Sequence, residues 1–269
     1  MSGHPDPHSP ADDPHAPASL KFLGTAGARF VVASQLRASG GLWLELAGQR
    51  IMIDPGPGAL VRALASRPKL DPAHLDAVVV THRHLDHAND VNCILEAVTA
   101  GGHSPRGLLL GPPDLFEPGS VLCPYVLDYV AAYERTAEGR SYGLGAIVVR
   151  TPVRHDHPGD TFGLVIEAEG RRLGLVADTR YFDALAAHYA GCDLLVVHCV
   201  LVENPERRIY HLSLEDAAAL IAAARPRRAI LTHFGMNMLR AKPWVLAERL
   251  SQQLGLPVAA ARDGQTVAL

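Results

Sequence analysis

Cysteine is scarce and unpatterned in this 269-residue sequence: Cys93, Cys123, Cys192 and Cys199 form no CxxC pair. Their apolar contexts point to free buried thiols in a reducing compartment rather than to a disulfide framework. No apolar run reaches the ~20 residues that a membrane span needs. The first residues also lack the basic-then-apolar order of a signal peptide, so the expected compartment is the cytosol and no membrane partner is expected. Charge of one sign is missing too: the formal net charge is -3, which leaves no basic field to hold nucleic acid or an anionic membrane. No internal repeat or internal linker divides the chain. What is present is apolar material for a core, 48% hydrophobic against 20% charged residues, the composition of an ordinary soluble globular protein.

Residues 1–19 read as a disordered tail of Pro, Asp, His and Ala with almost no large apolar residue. A single domain is expected over 20–269. A short strand is predicted from Leu20, ending in the turn Gly24-Thr25-Ala26-Gly27, and two more over 41–46 and 50–53 are joined by the hairpin turn Ala47-Gly48-Gln49. Helices are predicted over 59–66, 91–100, 126–136, 182–189, 214–224 and 244–254. Further strands are predicted over 108–110, 146–149, 161–168, 172–176, 192–200 and 228–231. The stretch 104–145 is the least readable.

The chemistry concentrates in His82-Arg83-His84-Leu85-Asp86-His87, which follows the apolar, β-branched run Ala77-Val78-Val79-Val80-Thr81. An H-x-H-x-D-H hexad at a strand exit gathers three imidazoles and one carboxylate, ligands that zinc, iron and manganese take from proteins. Four donors so close are too many for one open catalytic ion, so the spacing suggests two adjacent metals. The bland alternative is a surface cluster in a chain with 14 histidines. Two more residues repeat the placement: Asp178 follows Leu173-Gly174-Leu175-Val176-Ala177, and His233 follows Ala229-Ile230-Leu231-Thr232. A last donor is sought in His155-Asp156-His157, which offers two candidates on one side if a strand runs through them.

Asp54, the hexad, a lone His before a Gly-bearing strand, Asp178-Thr179 and Thr232-His233-Phe234 together resemble the metallo-β-lactamase fold superfamily. Within it the resemblance is to the phosphodiesterase branch, with ribonuclease Z and the cyclic-phosphate phosphodiesterase of phosphonate breakdown. It runs from Leu20 to about Gly264. It implies an α/β fold, a four-layer αββα sandwich of two mixed sheets flanked by helices, with a site for two divalent metals at one edge. Zinc is expected, with manganese or iron as alternatives. By the same resemblance, His82, His84 and His157 would hold one ion, and Asp86, His87 and His233 the other, with Asp178 bridging. His157 fits the branch pattern better than His155, which would then support the site or face substrate. His211, in His211-Leu212-Ser213-Leu214-Glu215-Asp216, resembles the residue that contacts the scissile phosphate in that branch. Its bland alternative is a surface residue beside a helix cap.

The implied reaction is hydrolysis by a metal-bound hydroxide, with Asp86 orienting it and His211 donating to a phosphate or leaving oxygen. Asp54 is expected either to fix a ligand His tautomer or to serve as a turn carboxylate. Arg37 and Arg180-Tyr181 are candidates for substrate contact. Only about twenty residues separate His157 from Asp178, too few for the tRNA-binding arm that bacterial ribonuclease Z carries there. The expected partner is therefore a small cyclic or nucleotide-like phosphodiester, with a homodimer left open. A lactone or thioester hydrolase and a non-catalytic metal-binding scaffold are the alternatives.

Overall fold

The computed structural model describes residues 18–39 and 41–269. The expected tail lies outside them except for Ala18, which is buried, and Ser19, which opens the first strand. In chain order the first half forms β1 (Ser19–Phe22), α1 (Ala28–Ser34), β2 (Leu42–Leu46), β3 (Gln49–Ile53), α2 (Ala59–Ala65), β4 (Ala77–Val79), α3 (Leu85–Ala88), α4 (Val91–Val98), β5 (Leu108–Gly111) and β6 (Ala132–Arg135). The second half forms β7 (Arg140–Leu144), β8 (Ile147–Thr151), β9 (Leu164–Ala168), β10 (Arg171–Val176), β11 (Leu194–His198), α5 (Leu214–Ala224), β12 (Arg228–Thr232), α6 (Met236–Arg240), α7 (Pro243–Leu254), β13 (Val258–Ala260) and β14 (Thr266–Ala268).

Strand side chains alternate between faces, and here both faces are apolar. Leu42, Leu44 and Leu46 of β2 join Ile51 and Ile53 of β3 in a core that also takes Ile147, Ile166, Leu173, Val196 and Ile230 of the other sheet. Their alternates turn outward: Trp43, Met52 and Val78 pack on Ile94 and Leu95 of α4. Val176, Leu195 and Val197 pack on Leu220 and Ile221 of α5 and Leu250 of α7. Four layers result, helices–sheet–sheet–helices, as the near-continuous apolar strands require. The sheets run β14-β1-β2-β3-β4-β5-β6 and β13-β12-β11-β10-β9-β8-β7, and both are mixed.

Parallel pairing sets where the chemistry lies. β3 and β4 are parallel neighbours in one sheet, as are β10, β11 and β12 in the other. Their carboxyl ends release Asp54, the hexad, Asp178, His198 and His233, the kind of edge at which α/β sheets bind ligands. Among the described residues, no helix is long and apolar enough to cross a membrane.

The helix predicted over 126–136 is not formed. Its first part is a 3-10 turn, Pro124–Asp128, and its end is strand β6. Every residue of β6 is exposed, so it carries no alternation to read. The open edge of β5 recruits it, Leu108 opposite Ala132, and Phe116 stacks on Tyr133 with ring centroids 5.4 Å apart. The helix predicted over 182–189 shrinks to a 3-10 turn, Leu185–Tyr189. Helix α1 and the short strands β7, β13 and β14 arise in segments whose own pattern did not announce them.

Candidate metal centre

The β4 exit turns sharply into α3, one helical turn long, with His84 at its N-cap position. The strand exit and this turn bring His82 and His84 into one donor group and His87 into another, with Asp86 Oδ2 3.7 Å from His87 Nε2. Asp54, in left-handed backbone at φ 53°, ties the turn down. Thr81 N–H and Oγ1–H donate to Asp54 Oδ1 and Oδ2, each at 2.7 Å. His87 Nδ1 lies 2.9 Å from Asp54 Oδ2. A carboxylate only accepts, so His87 carries a proton on Nδ1, and Nε2 is the ring nitrogen turned inward. Of the two roles expected for Asp54, this geometry matches the positioning one.

Across the cleft, His233 follows β12 with a left-handed backbone at φ 60°. A backbone region that β-strand sequences avoid is held here by the surrounding chain. Gly27 permits the close approach: a Cβ there would sit 2.2 Å from the His233 carbonyl oxygen. His233 Nε2 faces His87 Nε2 at 3.3 Å, Asp178 Oδ1 at 3.3 Å and Asp86 Oδ2 at 3.6 Å. Asp178 Oδ2 faces His87 Nε2 and His211 Nδ1, both at 3.5 Å, and His82 Nε2 at 3.8 Å.

His155 and His157 do not share a side, because the chain makes a tight turn there: His157 N–H donates to the His155 carbonyl at 3.0 Å. His157 Nδ1 donates to the Tyr210 carbonyl at 2.7 Å, and its Nε2 meets His84 Nδ1 at 3.1 Å. His155 points the other way and pairs its Nε2 with the Tyr189 hydroxyl at 2.8 Å. It is buried rather than facing substrate, and burial pushes it down to about 3. Gly163 leaves room for this pair, since a Cβ there would lie 1.8 Å from Tyr189 Oη.

His211 is not a surface residue: its imidazole lies against the cluster, 5.1 Å from the His157 ring, with its Nδ1 buried and without a hydrogen bond. The capping box of α5, Ser213 with Asp216, anchors the chain just after it. Arg180 is paired with Asp156 at 2.8 Å and lies 4.0 Å over the Tyr210 ring; Tyr181 lies under Arg207. Arg37 sits in the loop after α1 and is partly exposed.

Sequence reasoning missed His198. It ends β11 after Leu194-Leu195-Val196-Val197, the same apolar-strand exit that marked His82, Asp178 and His233. Its Nδ1 lies 2.9 Å from Asp178 Oδ1.

Among the described residues, three overlapping groups have ligand atoms within 4.8 Å of one another: His82, His84 and His157; His87, Asp178, His198 and His233; and His157, Asp178 and His211. The donor set fits divalent cations. Nitrogen faces nitrogen at His87–His233 and His84–His157, and His82 Nε2 is buried with no hydrogen-bond partner. Charge points the same way. Burial opposes a charged His87, yet Asp86, Asp178 and Asp54 outweigh it and hold its pKa well above the ordinary value. Burial likewise opposes an ionised Asp178, but His233, His211 and His87 hold it well below the usual carboxylate range. Burial, with His87 beside it, keeps His82 neutral.

Residues 49–234 match the family model of the β-lactamase superfamily domain. Over 92% of this chain and 94% of the relative, the sequence is 31% identical to an uncharacterized protein of Methanocaldococcus jannaschii. Over 80% of this chain and 88% of the relative, it is 28% identical to a ribonuclease Z of Bradyrhizobium sp.. Among solved structures, the metallo-β-lactamase fold protein YhfI of Bacillus subtilis superposes with a TM-score of 0.77 at 17% identity, covering 94% of this chain and 99% of that one.

Proposed function

Because the chain belongs to the β-lactamase superfamily domain family, we propose that it is a metal-dependent hydrolase of the dinuclear phosphodiesterase kind, acting on a small cyclic or nucleotide-like phosphodiester. The observation that carries this reading is His211, an imidazole set beside the donor cluster whose buried Nδ1 makes no hydrogen bond and faces Asp178 Oδ2 at 3.5 Å. In phosphodiester hydrolysis the phosphoryl and leaving oxygens gain charge, and a donor at this position stabilises it. The ribonuclease Z relative supports phosphodiester chemistry. The interval between His157 and Asp178 is filled by the β9–β10 hairpin, which supports a small substrate over one gripped by a long arm.

In this reading His82, His84 and His157 would hold one ion and Asp86, His87 and His233 the second, with Asp178 available to both. Mixed nitrogen and oxygen donors suit zinc. When bound, two divalent ions supply Lewis acidity at the phosphoryl group and acidify water. Asp86, whose side chain is 21% exposed, accepts a hydrogen bond from the attacking water at its carboxylate oxygen and orients it toward phosphorus. Asp54 keeps the His87 proton on Nδ1 throughout. As the bond from phosphorus to the leaving oxygen breaks, His211, which burial pushes down to about 4 and so keeps neutral, donates a hydrogen bond from Nδ1 to the oxygen that gains charge, and the proton of the attacking water passes by way of the Asp86 carboxylate to the leaving oxygen.

The test is hydrolysis of bis-p-nitrophenyl phosphate, cyclic nucleotides, lactones and thioesters by metal-reconstituted protein. His211→Ala is expected to keep its metals and fold while phosphodiester kcat falls by roughly 10²–10³. Unchanged phosphodiester turnover in that variant, or robust lactone hydrolysis by both forms, would replace this reading with an ester hydrolase.

A further inference from the structure

His198 belongs to the centre by position, yet the ligand set above gives it no task. It ends β11 opposite Thr232 of β12, one residue before the exit that carries His233. It is 6% exposed, and its ring stacks on His233 with centroids 4.4 Å apart and planes 17° from parallel. Its Nδ1 lies 2.9 Å from Asp178 Oδ1. Because a carboxylate can only accept, that contact requires the proton on His198 Nδ1. To bind a cation through the same nitrogen, His198 would have to give up Asp178.

The consequence lies in how Asp178 is turned. Its Oδ1 is engaged by His198 and faces His233, while Oδ2 is left to His82, His87 and His211. A free carboxylate rotates about its terminal bond at little cost; this one is anchored at one oxygen. We propose that His198 is a positioning residue of the centre: its Nδ1–H fixes the rotation of the shared carboxylate Asp178, and its ring backs the imidazole of His233. The inference rests on the donor set assigned under the proposed function and extends it to a residue behind that set. Partners of this kind orient ligands before an ion arrives, and losing one typically costs 10–100-fold in metal affinity or activity.

The test is Zn²⁺ binding by the full chain, measured as stoichiometry at saturation and as affinity by competition with a chromophoric chelator. His198→Asn keeps an N–H near the position of Nδ1 without the ring; His198→Ala removes both. The alanine variant is expected to reach two ions per chain with affinity for the weaker ion reduced about 10–100-fold, and the asparagine variant to recover at least tenfold of that loss. Wild-type affinity in His198→Ala would overturn the proposal. So would saturation of both variants at one ion, which would make His198 a ligand, or an asparagine variant no better than alanine, which would reduce the role to packing. Should the alanine variant fail to fold, His198→Gln, whose donor is moved by one methylene, replaces it as the comparison against asparagine, and equal affinity of the two overturns the proposal. No turnover is needed, so a wild-type protein that binds two ions but cleaves no phosphodiester refutes the function proposed above and leaves this inference standing.

Discussion

Replacing Asp54 by asparagine changes one atom and should invert one tautomer. Asp54 receives the Thr81 backbone N–H on Oδ1, and Thr81 Oγ1 and His87 Nδ1 converge on Oδ2. The backbone N–H can only donate, so the asparagine oxygen must stay opposite it and the amide nitrogen must take the place of Oδ2. That nitrogen then donates to Thr81 Oγ1, whose hydroxyl can reverse toward His82 Nδ1 at 3.1 Å, and to His87 Nδ1. An Nδ1 that accepts leaves the His87 proton on Nε2, the nitrogen that now meets His233 Nε2 at 3.3 Å. Restoring the inward lone pair would force two donors together at a buried site, at a cost of about 1–3 kcal/mol. At about 1.4 kcal/mol per tenfold, affinity for the ion held by His87 should fall about 10–100-fold. Stability of the metal-free protein should change by only about 1 kcal/mol, because every polar group keeps a partner. Chelator-competition titration together with thermal melting of the metal-free protein separates the two effects. An Asp54→Asn variant with wild-type affinity would refute the tautomer argument, and so would one whose affinity loss merely followed a large loss of stability.

His157→Ala should lose one ion and most activity together, whereas His155→Ala should retain both ions by metal analysis, because His155 pairs with Tyr189 rather than with the cluster; the reverse pattern would exchange their roles. Thiol accessibility offers a check on the fold. Cys93 is exposed, whereas Cys192 and Cys199 are buried, and burial pushes the Cys199 thiol up to about 12. The thiolate is the reactive form, so at pH 8 a colourimetric disulfide reagent should modify Cys93 quickly and leave Cys192 and Cys199 unreacted until denaturant is added. Prompt reaction at either buried thiol in the native protein would contradict the packing of β11 against α5.

Much of the centre could be read from the chain because its residues announce themselves one at a time. The hexad, Asp178 and His233 each stand at the end of an apolar, β-branched run, and a polar residue there has few other reasons to be present. Strand β11 ends the same way at His198. The strand predicted over 192–200 runs on through Cys199 and Val200, which places this histidine inside a strand rather than at its exit. The stretch 104–145 resisted reading for a different reason: β6 is an exposed edge strand, and neither β6 nor β7 buries a face regular enough to show a period. Pairing with β5 and β8 decides those segments, and pairing is not a local property.

The layered α/β class came from the resemblance to the metallo-β-lactamase fold superfamily, whereas the apolar strands and most of the residues at their ends were legible in the spacing of the sequence. Local sequence carries these because burial of alternating side chains follows from spacing alone. Three matters were left to the tertiary structure. His157 was separated from His155 by a turn closed through a backbone hydrogen bond. Asp54 was coupled to His87, 33 residues away, through the parallel pairing of β3 and β4. His198 was brought to Asp178 by the adjacency of β10 and β11. Each depends on the direction in which a side chain leaves the backbone, and for Asp54 and His198 that direction is set only once distant strands are in register.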